Sequence, residues 1–217
     1  MYIDIKSLTK IISGTTILDH ISLHMEQGKI YGLKGKNGSG KTMLMRAVCG
    51  LILPTEGEIE INGELLGKDI SFPRSVGALI ENPGFIAGYT GLKNLILLAR
   101  IQDRIQEDTI RETLSMVGLD PEDKKKYKKY SLGMKQKLGI AAAIMENPEL
   151  IILDEPMNAL DEESVGRIRA ILLKRREEGA LVLVSCHDQE ELASLSDEIF
   201  AMENGKIVSR TAASQSI

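Results

Sequence analysis

Eight consecutive residues, Gly35-Lys36-Asn37-Gly38-Ser39-Gly40-Lys41-Thr42, fit the spacing G-x-x-x-x-G-K-[ST], which lets a chain wrap its backbone around phosphate. Glycines at 35, 38 and 40 free the loop to aim N–H groups at anionic oxygens, and a helix opening near Lys41 turns its positive end toward the same anion. Lys41 is expected on the β- and γ-phosphates of ATP, and the Thr42 hydroxyl on the Mg²⁺ that bridges them. Lys36, Asn37 and Ser39 line the loop as spacers with weaker individual claims.

A second group of candidates lies far along the chain. The apolar run Leu150-Ile151-Ile152-Leu153 ends in Asp154-Glu155, and acids at the end of a buried strand invite a chemical reason. Asp154 is placed to hold Mg²⁺ through water; Glu155 is placed to orient or deprotonate the attacking water. His187 follows the next strand at the matching edge, where a γ-phosphate contact and a structural role both stay open.

The elements that must position these residues can be read from periodicity. Residues 2–5, 16–18, 21–23 and 29–33 read as short strands and predict an antiparallel β layer at the N-terminus. A helix over 41–49 follows the loop, stopped by Gly50 and Pro54. Residues 57–61 alternate and end in Asn62-Gly63, a hairpin signal, and 76–80 form a further strand. From 92 to 144 the period turns helical, with helices over 92–101, 109–117 and 138–145. Strand 150–153, a helix over 164–178 and strand 180–185 then restore a βαβ order. The expected fold is α/β, with a mainly parallel core sheet, an N-terminal antiparallel β layer and an inserted α-helical subdomain. One domain is expected over 1–217, its core formed by 1–82 and 146–217 and the helical insertion by 83–145.

Composition removes several classes. The 217 residues are 43% hydrophobic and 27% charged, with a net charge of -4, enough for one self-sufficient core and no overall reason to bind nucleic acid. Cys49 and Cys186 show no spacing for a zinc site or disulfide scaffold. The opening Met1-Tyr2-Ile3-Asp4 is unlike a secretory signal, and the longest apolar runs fall well short of the roughly 20 residues that span a bilayer. The run Lys124-Lys125-Lys126-Tyr127-Lys128-Lys129-Tyr130 reads as a solvated face, or as one that meets anionic headgroups, before a nucleic-acid grip.

In this order the motifs resemble the ATP-binding subunit of ABC transporters over nearly the whole chain. The segment Tyr130-Ser131-Leu132-Gly133-Met134-Lys135-Gln136-Lys137 resembles the signature, usually Leu-Ser-Gly-Gly-Gln, which separates that family from other P-loop ATPases. The resemblance implies that Ser131 and Gly133 face the γ-phosphate held by a second ATP-binding subunit, a homodimer mate or related chain. Asn158-Ala159-Leu160-Asp161 resembles the loop through which the two subunits communicate, which puts Asp161 near that nucleotide. It further implies separate transmembrane subunits that dock around residues 81–89, and a peripheral position on the cytoplasmic face of the membrane. The chain departs from the family pattern at four places. Glu81 stands where a metal-contacting glutamine is usual, Ile12 where an aromatic stacks on adenine, Leu132 where the signature has glycine and Met134 where it has glutamine. Glu81 together with Ser131 to Gln136 is similar to the branch that expels peptide antibiotics, as in lantibiotic self-protection and bacitracin resistance. Three other readings stay open: a soluble ATPase of the same type, a P-loop kinase, and a nucleotide-gated regulator with little turnover.

Overall fold

The computed structural model describes residues 2–81, 84–186 and 188–212. The chain opens with a hairpin of β1 (Tyr2–Ile12) and β2 (Thr15–Glu26). Ser13 and Gly14 close it at φ 49° and 80°, the hand that matches strand twist. The sequence pattern breaks β2 into two pieces at 16–18 and 21–23. In the structure it is one strand, because the left-handed His20 (φ 51°) is absorbed as an irregularity between the Leu8–Ile21 and Lys10–Leu18 pairs. β4 (Glu56–Ile61) and β5 (Glu64–Leu65), joined at Asn62-Gly63, complete an antiparallel sheet in the order β2-β1-β4-β5.

The second sheet contains β3 (Ile30–Lys34), β6 (Val76–Leu79), β7 (Leu150–Leu153), β8 (Leu181–Ser185), β9 (Glu198–Glu203) and β10 (Lys206–Ala212). Its order is β10-β9-β3-β8-β7-β6, parallel from β9 to β6, with β10 antiparallel at one edge. The last two strands, and the short helix α6 (Gln189–Leu195) before them, lie beyond Ser185, where no element is expected from the sequence pattern. Every residue of β7 and β8 is buried, and alternate side chains serve two cores. Leu150, Ile152, Leu181 and Leu183 meet helix α1 (Lys41–Val48) and the antiparallel sheet; Ile151, Leu153, Val182 and Val184 meet the other helices. Each such side chain contributes about 1.5–3 kcal/mol of burial, which is why these strands read as unbroken apolar runs.

The helical segment comprises α2 (Gly91–Gln102), α3 (Glu107–Met116) and α4 (Leu132–Ile144). Helix α5 (Glu162–Glu177) then crosses from β7 to β8. α4 starts six residues before the Leu138 expected from periodicity. Gly133 weakens the helical pattern there, while Ser131 caps the helix by accepting from the Met134 N–H at 3.2 Å. α4 also leans on β6: a Cβ on Gly77 would sit 1.7 Å from the Ala143 carbonyl oxygen. Leu95, Ile110, Leu114, Leu138 and Ile144 therefore belong to the same buried cluster as Ile151 and Val182.

Candidate active site

The phosphate loop hangs between the buried β3 and α1, so both of its ends are fixed by core packing. Gly40, the residue before α1, has φ 108°, a conformation that only glycine takes without strain. Gly35 is pressed so closely that a Cβ would fall 2.5 Å from both the Met202 carbonyl and the Ser39 hydroxyl oxygen. The turn between β9 and β10 props the loop from outside, with the Gly205 N–H donating to Ser39 O at 3.0 Å. Lys41 is only 6% exposed, and its Nζ donates to Gly35 O at 2.7 Å and Lys36 O at 3.3 Å. The ammonium is thus folded over the loop, with one of its three donors left for a phosphate oxygen.

Next to the loop, four residues share one chain of hydrogen bonds. The Thr42 hydroxyl donates to Asp154 Oδ2 at 2.6 Å, and the Ser185 hydroxyl donates to Asp154 Oδ1 at 2.6 Å. Ser185 Oγ also accepts from the Glu155 N–H at 2.8 Å. Glu155 sits at φ 51°, a left-handed backbone that costs a side-chain-bearing residue roughly 1–2 kcal/mol. Its N–H is held by Ser185 and its carbonyl by Gln136 Nε2 at 3.0 Å. Ser185 was not among the sequence candidates. The available signal was a hydroxyl, fully buried in the structure, that ends an otherwise aliphatic strand. A cleft of about 310 Å³ opens here, lined by Ile17, the loop from Asn37 to Met43, Asp154 and Glu155.

The donor set beside that cleft, a hydroxyl and a carboxylate, suits a hard cation such as Mg²⁺, which keeps waters and takes substrate phosphates as further ligands. Among the described residues no group of three or more His, Cys, Asp or Glu side chains forms a cage, as a resident all-protein metal site would need. The Glu81 carboxylate, the other expected metal contact, accepts from Arg46 Nη2 of α1 at 2.7 Å. Ile12 is 42% exposed at the end of β1 and does not line the cleft, whose apolar wall is Ile17. Asp161 caps α5: the Ser164 hydroxyl and then its backbone N–H hold the Asp161 carboxyl below its ordinary range. His187 lies outside the described residues. Burial pushes the Cys49 thiol up to about 12 and the Cys186 thiol up to about 11, so neither is a nucleophile at neutral pH.

The family profile described as ABC transporter matches residues 18–158. The chain belongs to the ABC transporter family. It is an ATP-binding subunit of that family and an ATPase. It is 48% identical over 205 residues to an uncharacterized ABC transporter ATP-binding protein, YybJ, of Bacillus subtilis, covering 94% of each chain. It is 42% identical over 208 residues to the bacitracin transport ATP-binding protein BcrA of Enterococcus faecalis, covering 95% of this chain and 68% of that one. Among solved structures, a dimeric bacterial ABC transporter cassette superposes with a TM-score of 0.88 at 25% identity, covering 97% of this chain and 98% of that one.

Members of this family dimerise and work with transmembrane subunits, and the start of α4 lies at the surface. Ser131 stands at the N-terminus of α4, and Leu132 beside it is 72% exposed. Gly133 lies so close to the loop before α5 that a Cβ would come within 2.8 Å of Ala159 O. Neither Ser131 nor Gly133 lines the cleft by the phosphate loop. Gln136, one turn further along α4, joins this helix to the Glu155 carbonyl. Among the described residues no helix is long and apolar enough to cross a membrane.

Proposed function

We propose that this ABC ATPase closes with a second ATP-binding subunit around two ATP molecules and uses the closing and reopening to drive separate membrane-spanning subunits that expel peptide antibiotics. The observation that carries the catalytic part is the Thr42–Asp154–Ser185–Glu155 chain of hydrogen bonds. Loop N–H groups and Lys41 hold the phosphates. Thr42 and Asp154 would hold Mg²⁺, which supplies charge neutralisation at the phosphates. Glu155 accepts the proton of the attacking water, and Ser185 fixes the backbone from which Glu155 projects. Asp161, Ser131 and Gly133 act across the dimer, and Ile12 packs against the base without stacking on it. His187 contributes at the γ-phosphate, and Glu81 reaches the metal only by leaving Arg46. The chain works at the cytoplasmic face of the membrane, held there by its partners. The antibiotic cargo rests on the likeness to proteins named for bacitracin and lantibiotic transport.

Replacement of Glu155 by Gln removes the base and keeps the shape. ATP hydrolysis by the partnered protein should fall about 10²- to 10⁴-fold, and an ATP-bound dimer should accumulate on size exclusion. Equal rates for the unmodified and Glu155→Gln proteins would instead favour a nucleotide-gated regulator. That second reading draws on the exposed, non-aromatic Ile12 and on the engagement of Glu81 by Arg46.

A further inference from the structure

Glu155 keeps a left-handed backbone at φ 51°, and Ala159, at the far side of the same turn, is left-handed as well at φ 62°. A residue with a side chain holds such a conformation only where its surroundings over-determine it. At Glu155 two anchors do so, and they come from different parts of the molecule. Its N–H donates to the Ser185 hydroxyl of β8, inside the core sheet, at 2.8 Å. Its carbonyl accepts from Gln136 Nε2 of α4, in the helical segment, at 3.0 Å.

The second anchor is not explained by the need to satisfy a carbonyl. The Asn158 N–H already donates to the same Glu155 oxygen at 3.2 Å, closing the turn after β7. Nor is the bond needed to seat the helix, since α4 is held by the buried Leu138, Ile140 and Ile144 and by its close approach to β6 at Gly77. Gly133 and Gln136 stand three residues apart on α4 and so share a face. On that face Gly133 comes against the turn, where a Cβ would lie 2.8 Å from the Ala159 carbonyl oxygen, and Gln136 bridges to Glu155. Lys135 between them reaches the other way, its Nζ 5.4 Å from the centre of the Tyr127 ring. One side of α4 thus rests on the carbonyls of both left-handed residues of the turn.

We propose that Gln136 is a positioning residue for hydrolysis: its bond to the Glu155 carbonyl keeps the Glu155 backbone left-handed and so sets where the carboxylate meets the attacking water. The proposal rests on the reading of Glu155 as the base. Gln136 touches no reacting atom and acts only through Glu155. Released from Gln136, Glu155 turns toward an ordinary φ and carries its carboxylate with it. A misplacement of about 1 Å in a reacting group costs about 10²-fold in rate. The same helix carries Ser131 and Gly133, the residues proposed for the second subunit's nucleotide. A helix that serves the neighbouring site therefore holds the base of its own.

The test compares two substitutions in the full, partnered protein. Gln136→Met keeps the length and loses the donor; Gln136→Glu keeps size and polarity and, once ionised, cannot donate. In both, kcat for ATP hydrolysis should fall about 10- to 100-fold, with KM for ATP, ATP binding and thermal unfolding nearly unchanged. Added to Glu155→Gln, the Gln136→Met change should cost nothing further, because the group it positions is already gone. An unchanged kcat in both Gln136 variants, beside a Glu155→Gln protein that is still slow, overturns the role of Gln136 and leaves Glu155 as the base. Equal rates for the unmodified and Glu155→Gln proteins overturn both. A loss that persists in full on the Glu155→Gln background, or that appears in KM, makes Gln136 a packing residue and overturns the proposal. Loss of folding in both variants does the same; if only Gln136→Met unfolds, Gln136→Glu carries the comparison.

Discussion

The catalytic edge of the core sheet and the outer face of the helical segment treat their polar groups in opposite ways. At the first, Lys41, Thr42, Asp154, Ser185 and the Glu155 N–H are all bonded to one another or to the loop, inside a packed frame. At the second, five lysines in six residues stand in solvent over a stiff aromatic base. Chemistry requires groups fixed before the substrate arrives, since a reorganising site loses its electrostatic advantage. The lysines keep their side-chain freedom even though the backbone beneath them is held by the bonds of Tyr127 and Lys128 to residues 89 and 87.

The two regions are joined where α4 crosses β6, and the sharpest way to separate them is Gly77→Ala. A methyl group 1.7 Å from Ala143 O forces α4 off the sheet, so the midpoint of chemical unfolding should drop by the equivalent of about 3 kcal/mol. Next in size is Ser185→Ala, which leaves Asp154 Oδ1 and the Glu155 N–H without this partner at a cost of about 1–3 kcal/mol. If that cost falls on the transition state, kcat should fall about 5- to 150-fold with KM for ATP nearly unchanged. A change confined to KM would show that Ser185 only shapes binding. Ser131→Ala removes the cap of α4 and should lower stability by about 1 kcal/mol in a denaturant titration.

The smallest effect is a pH dependence far from both regions. The hydrogen bond with Asp4 holds the His24 imidazole above its ordinary value of 6.5. That bond between β1 and β2 therefore stabilises fully below pH 6.5 and is lost as pH rises through the raised folded value. With His24 half exposed, solvent screens the pair, so the fall in Tm between pH 6 and 8.5 that is removed by His24→Gln should be slight.

Much of the site was legible because its physics is local. The loop needs glycines at fixed offsets, and one segment of chain supplies them; likewise Leu150–Leu153 announces a buried strand whose end must emerge at an edge. The dependence on partners that arrive from distant segments was not legible. Ser185 bonds two residues some thirty positions away, and Arg46 takes Glu81 from thirty-five positions away. The cleft wall is another example. Alignment on an expected aromatic position points to Ile12 for the base, and nothing in that alignment points to Ile17, which lines the cleft beside the phosphate loop. Strands β9 and β10 were equally hidden, although their turn supports Ser39.

By itself, the sequence determined that a phosphate loop, an acid-tipped buried strand and a signature-like helix start occur in one α/β chain, because each is written in consecutive residues with a fixed period or spacing. Only the tertiary structure decided which side chains hold the acids, that Glu81 answers to Arg46, and that the lysine run shares its backbone bonds with residues 87–89. Those contacts join segments far apart in the chain, and a linear pattern carries no record of which distant groups the two sheets will bring within hydrogen-bond reach.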